Sequence, residues 1–93
     1  MRTIKRTTRF KKDYKREARG QYRASLDAEL LAVVRLLAED MPLPEKSRDH
    51  SLSGDWKDHR DCHIKPDLVL IYSITDADSL ELVRLGSHSE LSL

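Results

Sequence analysis

The sequence predicts an α+β fold in which two N-terminal helices pack on an antiparallel sheet, in the order β-α-α-β-β-β. Two observations support this fold class. Apolar residues recur at helical spacing in the first half of the chain, and extended segments separated by turn signals fill the second half. A chain of 93 residues can bury one compact core, so we expect residues 1–93 to form a single domain.

The first two predicted elements are a short edge strand and a basic helix. β-branched residues recur over residues 2–8, which favours a strand. Thr8 can cap the following helix, because a threonine hydroxyl accepts a hydrogen bond from a free amide of the first turn. We expect Gly20 to end this helix. Its apolar stripe is thin and consists of residues four apart: Phe10, Tyr14 and Ala18.

The second predicted helix spans residues 25–40 and has the clearest periodicity in the chain. Its apolar residues share one face: Leu26, Leu30, Val33, Val34 and Leu37. The segment "MPLPEK" then prevents continuation, because proline lacks an amide donor and biases its predecessor toward extended geometry. We expect residues 41–55 to form a loop.

Three strands are predicted after the loop, over residues 56–64, 68–75 and 80–86. Trp56 would anchor the first of them, which is otherwise polar. The segment "LVLIYSIT" is apolar enough to be the central strand, and turn residues at 65–67 and 76–79 flank it.

Charge is distributed unevenly along the chain. Residues 1–23 carry ten Lys or Arg and two acidic residues, a net charge of +8, whereas residues 24–93 carry seven and fourteen, a net charge of −7. A basic end indicates an anionic partner such as nucleic acid, although a solvated helix face explains it equally well. No apolar run has the length of a membrane helix or the form of a signal peptide. With a single cysteine, we expect a cytoplasmic protein without membrane contact.

A metal site is the first chemistry to consider. His59, Cys62 and His63 lie close together in sequence, but neither a paired-cysteine motif nor an H-E-x-x-H helix is present. In an extended segment, Cys62 and His63 would also point to opposite faces of the sheet. We therefore expect neither a metal nor another cofactor.

Acid–base chemistry is the second possibility. The turn at 65–67 and the end of the last strand should meet at one edge of the sheet, and this would gather five residues: His50, His63, Asp67, Arg84 and His88. Histidine suits proton transfer near neutrality because its unperturbed pKa is about 6.5. Such a cluster would support cleavage of an RNA phosphodiester by its own 2′-hydroxyl. Each residue also has an ordinary explanation as a polar member of a loop, turn or strand.

The segments "KSRDHSLSGDWKDHRDCHIKPDLVLIY" and "LVRLGSH" resemble the YafQ branch of the RelE-like bacterial toxins. The likeness covers nearly the whole chain, including the basic first helix and the "PLP" break. It implies the small RelE-like fold and a type II toxin–antitoxin toxin. Such a toxin is a messenger-RNA endonuclease that cuts codons in the ribosomal A site without a metal ion. A cognate, DinJ-like antitoxin would hold it inactive, and operator DNA would be bound only through the antitoxin complex.

By this resemblance, the family's catalytic positions fall on the five residues already grouped: His50, His63, Asp67, Arg84 and His88. Arg84 would contact the scissile phosphate, and two histidines would transfer protons, with base and acid left unassigned. Asp67 would orient or charge-stabilise a histidine, or would itself serve as the acid or base. Ribosomal and messenger RNA would be contacted by seven basic residues: Arg9, Lys11, Lys12, Lys15, Arg16, Arg48 and Arg60.

Several positions depart from the family's usual pattern, including Leu85 where many members carry threonine and His59 where the residue is usually small, and two further departures bear on activity. Leu68 and Ser92 stand where many members carry an aromatic residue. If those aromatics stack on the codon, their loss would alter codon preference or rate, because base stacking is worth about 1–3 kcal/mol per base. A second hypothesis therefore stays open. The chain would be a catalytically weak relative that mainly binds its antitoxin and represses their operon.

Overall fold

The computed structural model describes residues 1–93 and confirms the α+β class. One sheet contains five strands: β1 (Thr3–Arg6), β2 (His50–Ser51), β3 (Arg60–Lys65), β4 (Leu68–Asp76) and β5 (Ser79–Gly86). There are three α-helices: α1 (Thr8–Ala18), α2 (Leu26–Ala38) and α3 (His88–Leu91). Two single-turn 3-10 helices, Glu45–Ser47 and Gly54–Trp56, lie in the connection between α2 and β3. No helix is long and apolar enough to cross a membrane.

The sheet is mixed rather than purely antiparallel as predicted. Its strand order is β1-β5-β4-β3-β2, and β1 runs parallel to β5, with Thr3 opposite Ser79. The other three pairs are antiparallel. Pairing between the first and last strands is a long-range contact. No local turn signal specifies it, and the direction of β1 could not be read from its own residues.

Several element boundaries differ from the predicted ones. Thr7, not Thr8, caps α1: its hydroxyl accepts a hydrogen bond from the Phe10 amide at 3.0 Å and donates one to the Val83 carbonyl at 2.7 Å. Trp56 lies in a 3-10 turn, so β3 begins four residues later, at Arg60. The two-residue strand β2 and the short helix α3 were not predicted.

Helices α1 and α2 cover one face of the sheet, and a smaller apolar cluster lies on the other. The main core joins Phe10 of α1 and the apolar face of α2 to alternate residues of β3, β4 and β5. On the opposite face, Val69, Ile71 and Leu91 form a second cluster, with Trp56 packed against it. Strand alternation therefore gives β3 a core-facing side and a side that faces away from the helices.

Candidate active site

The alternation of β3 places acidic and imidazole side chains away from the main core. Cys62 is fully buried among the core residues, and its neighbours Asp61 and His63 therefore point to the opposite face. The strand register aligns Asp61 with Ile71, and Ile71 with Arg84. Because residues paired across a sheet share a face, Asp61, His63 and Arg84 lie on the same side.

Three of the five predicted residues form one hydrogen-bonded chain. The Nε2 atoms of His63 and His88 are 3.1 Å apart, and Nδ1 of His88 lies 2.8 Å from a carboxylate oxygen of Asp67. These hydrogen bonds from His88 lower the pKa of Asp67, which is therefore an ionised acceptor at neutral pH. Nδ1 of His88 must then carry a proton. A hydrogen bond between the two Nε2 atoms then requires that one of them donates a proton and the other accepts it.

The short helix α3 holds His88 at this position. Ser87 and Glu90 form a capping box: the Ser87 hydroxyl accepts from the Glu90 amide at 3.2 Å, and Glu90 accepts from the Ser87 amide at 2.9 Å. Leu91 is buried in the second apolar cluster and anchors the other end of the helix. His88 is the first residue of α3, so both contacts fix its backbone.

His50 lies beside Asp61, a residue outside the predicted set. Nδ1 of His50 lies 2.8 Å from the carbonyl of Arg48, which accepts its proton, and 3.0 Å from the Asp61 carboxylate. Burial raises the pKa of Asp61, and the electrostatic influence of His50, His63 and His88 opposes that rise. The signal that could have revealed Asp61 is its place two residues before His63, on the same face of an extended segment.

Arg84 is bonded to a helix rather than to the histidines. Its Nε lies 2.7 Å from one carboxylate oxygen of Asp13, and its Nη2 lies 3.2 Å from the other. Asp13 was also absent from the predicted set, because it sits within a run of lysines. It follows Phe10 by three positions, however, and this spacing places it on the buried stripe of α1.

The predicted RNA-contacting residues fall into two groups. Arg9, Lys11, Lys12 and Lys15 are exposed on α1, and Arg48 is exposed after the first 3-10 turn. Arg48 lines a groove of about 720 Å³ that opens beside His63 and also contains Lys46 and Lys65.

Arg16 and Arg60 already have protein partners. The Arg16 guanidinium contacts Asp13, Glu17 and Glu90, and it donates to the Leu85 carbonyl at 2.9 Å. Arg60 pairs with Asp49 at 3.3 Å. These two residues are less available for RNA than the sequence predicted, because binding RNA would compete with existing ion pairs.

The cluster can both donate and accept protons at one point. Two imidazoles that share a proton can act as a base and an acid in the same reaction, and Asp67 orients one of them. The Cys62 thiol lies in the core, and this burial raises its pKa. The thiol is therefore an unsuitable nucleophile. No group of three or more His, Cys, Asp or Glu side chains is arranged to bind a metal ion.

Comparison with solved structures places the fold among bacterial toxins. A copper-bound mutant toxin from Helicobacter pylori is 40% identical and has a TM-score of 0.85, with 98% of this chain and 99% of that chain covered. The toxin of the Escherichia coli DinJ–YafQ toxin–antitoxin complex is 38% identical, with a TM-score of 0.80 and coverage of 97% and 96%. The α+β architecture is thus that of small toxins from toxin–antitoxin systems.

The sequence identifies the particular family. The model of the YafQ family, described as a bacterial toxin of type II toxin–antitoxin systems, matches residues 2–93, and the chain belongs to this family. A curated relative, the mRNA interferase toxin YafQ of Escherichia coli K12, is 45% identical over 56 residues. That alignment covers 60% of each chain.

Proposed function

We propose that this toxin is an endoribonuclease that cleaves messenger RNA in the ribosomal A site by attack of the RNA's own 2′-hydroxyl. The observation that carries the proposal is the hydrogen-bonded chain from His63 through His88 to Asp67. The name of the E. coli relative as an mRNA interferase supports the same substrate.

The reaction requires two proton transfers and one phosphorus–oxygen exchange. One imidazole of the His63–His88 pair removes the proton of the 2′-hydroxyl, and that oxygen attacks the adjacent phosphorus. The bond from phosphorus to the 5′-oxygen breaks, and a protonated imidazole supplies the proton to this leaving oxygen. The products are a 2′,3′-cyclic phosphate and a free 5′-hydroxyl. Arg84 would stabilise the negative charge that grows on the phosphate oxygens, and His50 would add a further donor.

No step of this scheme uses a metal ion, which is the reason we propose metal-independent cleavage. The copper-bound relative from H. pylori makes this a point to test directly. We expect cleavage to survive addition of a chelator that removes divalent transition metals. Loss of cleavage in the chelator, restored by one added metal, would contradict the scheme.

The partners follow from charge and from the relatives. The exposed cations of α1 would dock on ribosomal RNA phosphates, and Arg48 with Lys46 would contact the message beside His63. A DinJ-like antitoxin would neutralise the toxin, as the DinJ–YafQ complex suggests, and operator DNA would be reached only through that complex. We place this activity in the cytoplasm, where ribosomes and messages are found.

The alternative, a weak enzyme that acts by binding its antitoxin, rested on Leu68 and Ser92. Leu68 is 1% exposed in the main core, so its side chain could not stack on RNA whatever the site requires. Ser92 is exposed beyond α3, so the missing aromatic at this position still favours the alternative.

The test is tightly repressed expression of the native chain beside His63→Ala and His88→Ala, with 5′ ends mapped on translated messages. We expect growth arrest and codon-positioned cuts from the native chain, and neither from the variants, since each lacks one proton-transfer group. Cuts on free RNA without ribosomes would instead indicate a general ribonuclease. A soluble native chain that neither arrests growth nor cuts RNA would support the binding alternative.

A further inference from the structure

Asp13 is a buried carboxylate that accepts hydrogen bonds from three other residues. Its side chain is 5% exposed, and it accepts hydrogen bonds from Arg84, from Arg16 at 3.0 Å and from the Leu85 amide at 3.1 Å. Burial acts to raise the pKa of Asp13, but the hydrogen bonds from Arg84 and Leu85 outweigh it and hold the pKa below its usual value. The carboxylate is therefore ionised at neutral pH inside the protein.

This carboxylate lies beside the part of the β5 edge that pairs with no other strand, and α1 packs there instead. β1 pairs with β5 only as far as Leu82, which leaves the next part of the β5 edge without a neighbouring strand. Side chains of α1 and of its cap cover that edge. The Thr7 hydroxyl donates to the Val83 carbonyl, Asp13 accepts from the Leu85 amide, and Arg16 donates to the Leu85 carbonyl. These hydrogen bonds lock α1 to the strand that carries Arg84.

The geometry of the pair determines what Arg84 can do. Asp13 engages Nε and Nη2 of the guanidinium through both carboxylate oxygens, a fork that fixes the plane of the group. Nη1 makes no hydrogen bond within the protein, and the side chain is 18% exposed. A long, flexible side chain is thus held in one orientation with donors left for a ligand.

We propose that Asp13 is the positioning residue for Arg84, holding its guanidinium where the phosphate charge develops. The inference rests on the proposed ribonuclease function, because it assigns Arg84 to that reaction. Pre-organised donors stabilise a transition state without reorganisation, so a loose Arg84 would reduce the rate of the chemical step more than it would weaken substrate binding.

A purely structural role would look different. Asp13 also bonds the Leu85 amide, and its loss could merely loosen the β5 edge. A double-mutant cycle separates the two roles, because damage transmitted through Arg84 cannot occur once Arg84 is gone. The cycle uses Asp13→Asn, Arg84→Ala and the double variant, each checked for folding by thermal unfolding.

Single-turnover cleavage of a message on programmed ribosomes gives the rate at saturating toxin and the half-saturating concentration. We expect Asp13→Asn to lower the saturated rate by about 10- to 100-fold with little change in half-saturation. In the Arg84→Ala background, the same substitution should change the rate by less than about twofold. Equal losses in both backgrounds, or none in either, would overturn the proposal.

A second measurement keeps the test valid if Asp13→Asn does not fold. In the native toxin, the Arg84 Nε–H should give a resolved NMR signal that exchanges slowly with water at neutral pH. Its protection relative to a free arginine side chain at the same pH should be lost as acid protonates Asp13. A rapidly exchanging Nε–H at neutral pH would show that Arg84 is not held, whether or not the protein cleaves RNA. If the native chain cuts nothing while this signal is protected, the proposed function fails and the restraint on Arg84 stands.

Discussion

At the scale of single residues, Asp61 shows how stability and site chemistry oppose each other. Its side chain is almost fully buried, yet it lies beside His50 and on the same face as His63. Burial raises its pKa, so the folded state disfavours the ionised form. The resulting loss of folding stability is absent below the unfolded pKa of about 3.9. It grows as the pH rises from there to the folded pKa and is constant above it.

Replacing Asp61 with asparagine should separate these effects. At pH 7 we expect Asp61→Asn to unfold at the same or a higher temperature, because the buried charge is gone. Cleavage should fall roughly tenfold, a barrier increase of about 1.4 kcal/mol, because the carboxylate charge 3.0 Å from His50 is lost. Thermal unfolding and single-turnover cleavage measure the two effects. Asp55→Asn, an exposed aspartate of the second 3-10 turn, is the control and should change neither quantity. Full activity of Asp61→Asn would remove Asp61 from the site.

At the scale of elements, the junction between β5 and α3 depends on the close approach of α1. Gly86 ends β5, and a Cβ atom there would lie 3.0 Å from Nη2 of Arg16 and 3.3 Å from Oε1 of Glu90. Arg16 and Glu90 are themselves ion-paired at 3.2 Å. The absence of a side chain at residue 86 lets a helix from the start of the chain stabilise the one that carries His88.

Gly86→Ala should therefore disturb this junction without affecting the main core. Arg16 and Glu90 would have to move, and we expect unfolding to become easier by about 1 kcal/mol, roughly one hydrogen bond. Denaturant unfolding measures the change. Gly20→Ala is a matched control, because its added Cβ would meet carbonyl oxygens of Arg16 and Glu17 only at 3.5 Å and beyond. A destabilisation of equal size in both variants would show that the junction is not special.

At the scale of the whole molecule, the chain separates a basic helix from an acidic remainder. No ion pair involves four exposed cations of α1: Arg9, Lys11, Lys12 and Lys15. Arg16, which is exposed on the same helix, is neutralised by carboxylates. The helix thus carries both unpaired cations and a cation that is neutralised within the protein, and under the proposed function only the unpaired ones would meet phosphates.

If the proposed function is right, charge reversal at the unpaired cations of α1 should weaken binding to ribosomes without changing the chemistry. We expect Lys11→Glu with Lys12→Glu to raise the half-saturating toxin concentration and to leave the saturated rate intact. The salt dependence of binding should fall by about 0.7–0.9 in log–log slope for each phosphate that the variant no longer neutralises. Binding to ribosomes at several salt concentrations measures this slope. Lys57→Glu, an exposed lysine outside the helix, is the control. An unchanged slope would exclude α1 from the docking surface.

The fold as a whole should lose stability in acid. The pKa values of Asp13, Asp67 and Glu90 are lowered in the folded state, so their contribution is present above the unfolded values near pH 4 and is lost as the pH falls through the folded values. We expect the melting temperature to fall steadily between about pH 5 and pH 3, and that of Asp13→Asn to fall less over that interval. A flat profile would contradict the assignment of these ion pairs.

Much of the fold could be predicted because its signals are local. The periodicity of α2, the prolines after it and the turn at 65–67 each act over a few residues, and the structure contains the predicted helices and main strands. The cap of α1 was misplaced by one residue because Thr7 and Thr8 are both competent caps. Only Val83, from a distant strand, distinguishes between them.

By itself, the sequence determined the α+β class, the family and the candidate histidines, since motif spacing and strand alternation depend on neighbouring residues. Tertiary structure alone decided that β1 runs parallel to β5 and that Asp61 lies beside His50. It alone also decided that Asp13 forms an ion pair with Arg84, which lies 71 positions away in the sequence. Such contacts form between segments far apart in the chain. Their partners are selected by how the whole molecule packs, and no local pattern encodes that choice.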